Sequence, residues 1–177
     1  MKKAWLVLPL SAALLFGSAV PTGTQLDNVT QSEAHAAKKK YYFKDNVAKL
    51  QDVKIVITKT KVIKVGQKGN EYGDKPVFAI WFKTKNLSNK NITPVDAWIA
   101  VFDGYQDNNK NMLKELNLGA APDDNLLDNG FAKIKKNGVV KYAVAFELTD
   151  LKTPVKLVAK KGYDGTVLGS KTYKVKK

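Results

Sequence analysis

The chain has 177 residues, a formal net charge of +14 and no cysteine; all 30 of its basic residues are lysine, and its one histidine is His35. This inventory excludes a disulfide frame, a lipid-bearing cysteine and a thiol nucleophile. Downstream of His35 it also excludes zinc sites built from His or Cys and any nucleophile that needs a histidine base.

In chain order, MKK is followed by the apolar run AWLVLPLSAALLF, and a polar stretch then ends in AHA before AKKK. A positive start, an apolar core and small residues at Ala34 and Ala36 are the parts of a cleaved helical signal peptide, residues 1–36. A competing cleavage follows Ala19, with Gly17 and Ala19 as the small pair. The apolar core is shorter than the roughly 20 residues of a spanning helix. The expectation is export and release, with no stable membrane insertion. Removing residues 1–36 takes away Lys2, Lys3, Asp27 and Glu33, so the charge stays at +14.

Residues 37–50 read as a basic leader in which YYF is a first short strand or a hydrophobic clip. A β-sandwich domain is expected over 51–177. VKIVITKTKVIKV is β-branched and nearly alternating, with Val53, Ile55 and Ile57 on one face. GQKGNEYGDKP reads as a hairpin loop, and PVFAIWFKTKN as a strand buried on both faces. DAWIAVFDGY reads as a further buried strand, with Trp98 and Phe102 on one face and Ile99 and Val101 on the other. Residues 105–130 form the longest irregular stretch, in which MLKEL is a short strand or one helical turn. Asn137-Gly138 predicts a type I′ hairpin between FAKIKK and VVKYAVAFE. PVKLVAKK and TVLGSKTYKVK complete an all-β, antiparallel sandwich. Its expected core holds Ile55, Ile57, Phe78, Ile80, Trp81, Trp98, Val101, Val144 and Phe146.

YYFKDN, VKIVITKTKVIK, FKTKNLSNKNITPVDAWIAVF, GYQDNN, NGVVKYAVAFELTD and PVKLVA together resemble the domain-of-unknown-function 5067 family of exported Gram-positive proteins. The resemblance implies an immunoglobulin-like (telokin-like) sandwich and supplies no catalytic residues. Members with a lipid anchor carry a cysteine at the cleavage site, which this chain lacks.

No phosphate-cradling glycine motif is present. The acids Asp103, Asp107, Glu115, Asp123, Asp124 and Asp128 lie in or beside the irregular stretch. They read as loop residues, with a carboxylate-pair glycosidase as the sharper alternative. DDNLLDNG offers oxygen ligands but not EF-hand spacing, so Asx turns account for it as well as calcium does. Trp81, Trp98, Phe102 and Tyr105 are candidates for a sugar platform; Trp81 and Trp98 read as core, and Tyr105 as the exposed contact. Lys54, Lys59, Lys61, Lys64, Lys83 and Lys85 read either as a solvated face or as one lysine-rich face docking on wall phosphates. Lysine without arginine argues against nucleic-acid readout.

The sequence therefore supports a secreted, non-enzymatic binding module of the Gram-positive envelope that needs no cofactor or metal. Its candidate ligand-binding residues are Lys59, Lys61, Lys64 and Tyr105, and its expected partner is an anionic cell-wall polymer or a protein. The alternatives are a small envelope glycan hydrolase, or a secreted factor that binds a host or phage protein.

Overall fold

In the computed structural model, residues 40–175 are described. The signal peptide, both cleavage sites and Lys38–Lys39 lie outside them. Two antiparallel sheets face each other. The first has the order β1 (Tyr42–Lys44), β2 (Val47–Lys49), β3 (Val53–Ile63), β4 (Val77–Asn86), β7 (Val139–Glu147). The second has the order β6 (Lys114–Glu115), β5 (Phe102–Gln106), β8 (Val155–Lys160), β9 (Val167–Tyr173). This is the two-sheet all-β sandwich expected from the strand patterns.

The segment YYFKDNVAK folds as the β1–β2 hairpin. Asp45 and Asn46 form its turn with φ of 50° and 63°, the left-handed conformation that Asn and Asp tolerate and that a tight hairpin requires. Phe43 inserts into the core and meets Phe102 edge-on at 5.1 Å. Asn46 Oδ1 accepts from Lys171 Nζ and from the Tyr173 hydroxyl, both at 2.7 Å, so the turn is tied to β9.

The stretch around Trp98 departs from the expected strand. Pro94–Val101 is an α-helix, α1, that runs directly into β5. Thr93 caps it by accepting from the Asp96 N–H at 3.2 Å, and Pro94 occupies the first turn, where no N–H is needed. The helix puts Trp98 and Val101 in the core, where Phe102 joins them, while Ile99 faces outward. Trp98 is fully buried, with its ring 4.5 Å from both Phe82 and Phe102. Among the described residues its indole N–H has no hydrogen-bond partner.

The Asn137-Gly138 turn exists, with Asn137 at φ 63°, but it does not join two paired strands. FAKIKK is irregular, and β7 pairs instead with β4 over nine consecutive positions. The reason is Asn86, which is buried and donates to the carbonyls of Lys90 and Ile134, both at 2.8 Å. The Asn137 N–H donates to the Asn86 carbonyl, so the backbone groups of this segment are satisfied outside a ladder. MLKEL contributes only the two-residue β6, followed by buried Leu116.

Buried Gln106 fixes the loop between β7 and β8. Its amide donates to the carbonyls of Asp150 and Thr153, and its oxygen accepts from Thr149. The Asp150 carboxylate is held far below the usual range, chiefly by the Thr153 N–H, with Asn108, the Lys152 N–H and the Thr153 hydroxyl adding to an effect that outweighs partial burial.

Trp98→Ala is expected to cost about 3–5 kcal/mol in urea unfolding. Trp98→Phe should cost much less, because it keeps a large ring and removes the unpartnered N–H. A carboxylate with a depressed folded pKa stabilises the protein above its unfolded value, 3.8, and the gain is lost as pH falls below that value. Parent stability should thus fall more steeply than that of Asp150→Asn between about pH 5 and about pH 2.

Candidate functional site

The lysines of β3 do not follow simple alternation. Strict period-2 spacing would place Lys54 on the face opposite Lys59 and Lys61. The β3–β4 register shifts between Ile57 and Lys59, leaving Thr58 as an extra residue. Its hydroxyl donates to the Trp81 carbonyl at 3.0 Å. The bulge re-phases the strand, so Lys54, Lys59 and Lys61 all share the outer face. The same face receives Lys83 and Lys85 from β4 and Lys141 from β7, because their even-numbered neighbours Phe82, Thr84 and Tyr142 are buried.

Across the ladder, Lys54 stands directly opposite Lys85, and Lys83 directly opposite Lys141. Like charges at such positions are destabilising. The ion pairs among the described residues are Lys75–Glu147, Lys90–Asp52 and Lys160–Asp103. None of the six lysines on this face takes part in one.

Trp81 lies in the middle of this face. Expected in the core, it is instead half-buried, since it belongs to the outward-facing set Val77, Ala79, Trp81, Lys83. The Lys59 amine sits over its ring, 4.8 Å from the centroid. Its indole N–H donates to Asp123 Oδ2 at 2.8 Å. Asp123 comes from the long irregular stretch. That stretch hydrogen-bonds along β7, where the Glu147 N–H donates to the Asn117 carbonyl and the Gly119 N–H to the Ala145 carbonyl. It then reaches Trp81 and continues into a 3-10 helix, Asp124–Asn129. Asp123 caps that helix by accepting from the Asn125 N–H at 3.3 Å.

Beside Trp81 opens a groove of about 400 Å³. Lys59, Lys61 and Lys68 line it together with Pro122, Asp123, Asp124 and Asn125. On its other side Trp81 borders a depression of about 260 Å³ lined by Lys83, Lys141 and Leu126. The loop carrying Lys68 is pressed against the Pro122 backbone: a Cβ on Gly69 would lie 2.4 Å from the Pro122 carbonyl oxygen, and Gly69 has φ +88°. Only glycine fits there on both counts.

Of the residues singled out in the sequence, Lys59 and Lys61 meet at this groove. Lys64 lies past the end of β3, where its N–H donates to the Gln67 side chain, and it does not line the groove. Tyr105 belongs to the second sheet. Its hydroxyl donates to Asp103 Oδ2 at 3.3 Å, and burial together with Asp103 and Glu115 raises its pKa. Among the described residues no three His, Cys, Asp or Glu side chains are placed to hold a metal. No helix among them is long and apolar enough to cross a membrane.

A model of the family described as "Domain of unknown function (DUF5067)" matches residues 28–161, and the chain belongs to that family. A solved structure described as "Structure of a putative lipoprotein from Staphylococcus aureus subsp. aureus NCTC 8325" superposes with a TM-score of 0.64 at 17% identity, covering 76% of this chain and 92% of the other. No curated protein matches.

Gly69→Ala is expected to destabilise the protein by about 1–3 kcal/mol, from the backbone conformation and the contact with Pro122. Gly66→Ala, at φ +76° with open space around its Cβ, carries only the backbone part. A Gly69→Ala protein that unfolds at the same urea concentration as Gly66→Ala would show that the two loops do not support each other.

Proposed function

We propose that this member of the family is a non-enzymatic binding module of the Gram-positive envelope that docks on anionic polymers through the lysine face of its first sheet. The observation that carries the reading is the pairing of Lys54 with Lys85 and of Lys83 with Lys141, none of which forms an ion pair among the described residues. A sheet surface selected only for solubility is better served by mixed signs. Lysine ammonium groups act as hydrated point charges, which suits many loose contacts with a flexible polyanion. An envelope location is supported by the signal-peptide pattern and by the described nature of the staphylococcal structural neighbour.

The strand orders also favour an immunoglobulin-like reading. β3-β4-β7 facing β6-β5-β8-β9 corresponds to strands A-B-E facing C′-C-F-G, with the 3-10 helix where strand D would run. The glycosidase alternative has little geometric support. Asp123 and Asp124 are adjacent in sequence, and the other charged residues lining the groove are lysines, whereas glycoside hydrolysis needs carboxyls on both sides of the bond. Asp123 already accepts from Trp81 and Asn125. A second reading, recognition of a protein, is favoured by the exposed Met112 and Leu113 in the loop before β6.

The test is sedimentation with isolated cell walls. Binding should fall steeply between about 0.1 M and 1 M salt, as the screening length drops from about 10 Å to about 3 Å. Lys83→Glu with Lys141→Glu, and Lys59→Glu with Lys61→Glu, should each weaken binding by up to about tenfold. The same charge change at Lys114 and Lys156 on the second sheet should have a smaller effect. Equal losses at both sheets would indicate net charge alone, and salt-independent binding abolished by Met112→Ser and Leu113→Ser would favour the protein partner.

A further inference from the structure

The lysines account for attraction to phosphate, but they do not account for the groove at their centre. A linear polyphosphate needs amines and no aromatic surface. Here an indole is held in place by two separate contacts, Asp123 Oδ2 on its N–H and the Thr58 hydroxyl on its backbone carbonyl. One face of the ring is covered by the Lys59 amine, on an exposed side chain that a stacking sugar would displace. Hydroxyl-binding groups, Asp124 and Asn125, both exposed, line the same groove together with Lys61 and Lys68. The backbone contact between Gly69 and Pro122 shapes the groove before any ligand arrives. Its volume lies within the usual range for small-molecule sites, about 300–1,000 Å³.

A flat aromatic surface, amide and carboxylate acceptors and several amines lining one groove together describe one ligand chemistry. It is a ring with an apolar face, a belt of hydroxyls and an adjoining negative charge. We infer that the groove beside Trp81 is a subsite for a hexose unit of a phosphate-bearing glycan. The ring stacks on the indole, its hydroxyls meet Asp124 and Asn125, and the neighbouring phosphates lie on Lys59, Lys61 and Lys68. The inference rests on the reading of the lysine face as a polyanion site and adds to it a preference for sugar-substituted polymer.

The experiment compares three probes at one salt concentration: poly(glycerol phosphate), the same polymer carrying glucosyl groups, and a neutral maltooligosaccharide. Affinity is read by calorimetry and ring contact by tryptophan fluorescence. The parent protein should bind the glucosylated polymer about tenfold more tightly than the bare one, and only the former should change the fluorescence. Trp81→Leu should remove both the preference and the fluorescence change while binding of the bare polymer stays within about twofold. Asn125→Ala, an exposed substitution away from the core, should reduce the preference without altering the melting temperature. Equal affinity of the parent for the two polymers overturns the hexose subsite and leaves the lysine face intact. Failure to bind either charged polymer overturns the lysine face and the subsite together. Binding of the neutral oligosaccharide as tightly as the glucosylated polymer shows a sugar site that does not depend on phosphate, and overturns the combined ligand.

Discussion

One extra residue in β3 sets the surface chemistry of this protein. Thr58 has no partner of its own in the β3–β4 ladder, and every side chain after it changes face relative to unbroken alternation. Without the bulge, Lys59 and Lys61 would point at the core and Val62 would point outward. With it, a strand whose first half presents Lys54 and Val56 to solvent presents Lys59, Lys61 and Ile63 on the same side. The bulge also leaves the Trp81 carbonyl to be satisfied by the Thr58 hydroxyl, which joins the irregularity of the backbone to the position of the Trp81 ring on this face.

The second constraint is the long connection between β6 and β7. It covers an outer surface that would otherwise expose Ile63, Val77, Ala79 and Ala145, a small apolar cluster separate from the main core. Gly119 packs near Val77, and Pro122 meets the β3–β4 loop at Gly69. Burial of this cluster therefore requires the connection to lie where it does, and that placement delivers Asp123 to the Trp81 indole. The groove thus follows from packing on both sides: the apolar end of the face is roofed, the lysine end is open, and Trp81 lies at the boundary.

Much of the fold was legible in the sequence. The β-branched and aromatic runs gave β3, β4, β7, β8 and β9, and eight of the nine residues named for the core are buried. Trp81 was the exception. In an unbroken apolar run, alternation cannot say which residue lies at the edge of a roof supplied by a distant loop. The helix at Pro94 was written in Thr93-Pro94 followed by Asp96, a capping pattern overridden by the apolar content of the stretch. The β1–β2 turn was present as Asp45-Asn46, which lacks the glycine that usually marks such a turn. Lys59 and Lys61 were legible as candidates. Their union with Lys83, Lys141 and Asp123 was not, because it depends on a bulge and on contacts between residues far apart in sequence, such as Trp81 with Asp123 and Lys83 with Lys141.

The lysine face also has a consequence for stability that runs against its proposed role in binding. Like charges set opposite one another oppose the pairing of β3 with β4 and of β4 with β7, the contacts on which the first sheet is built. That repulsion is offset elsewhere, by the aromatic stack of Phe82, Trp98 and Phe102 on the inner side of the same strands and by the buried side chains of Asn86 and Gln106. A rigid inner face thereby holds an electrostatically unfavourable outer one in fixed geometry. The proposed binding would gain from this arrangement, because the amines are already gathered and the free energy released when a polyanion neutralised them would not be spent on bringing them together.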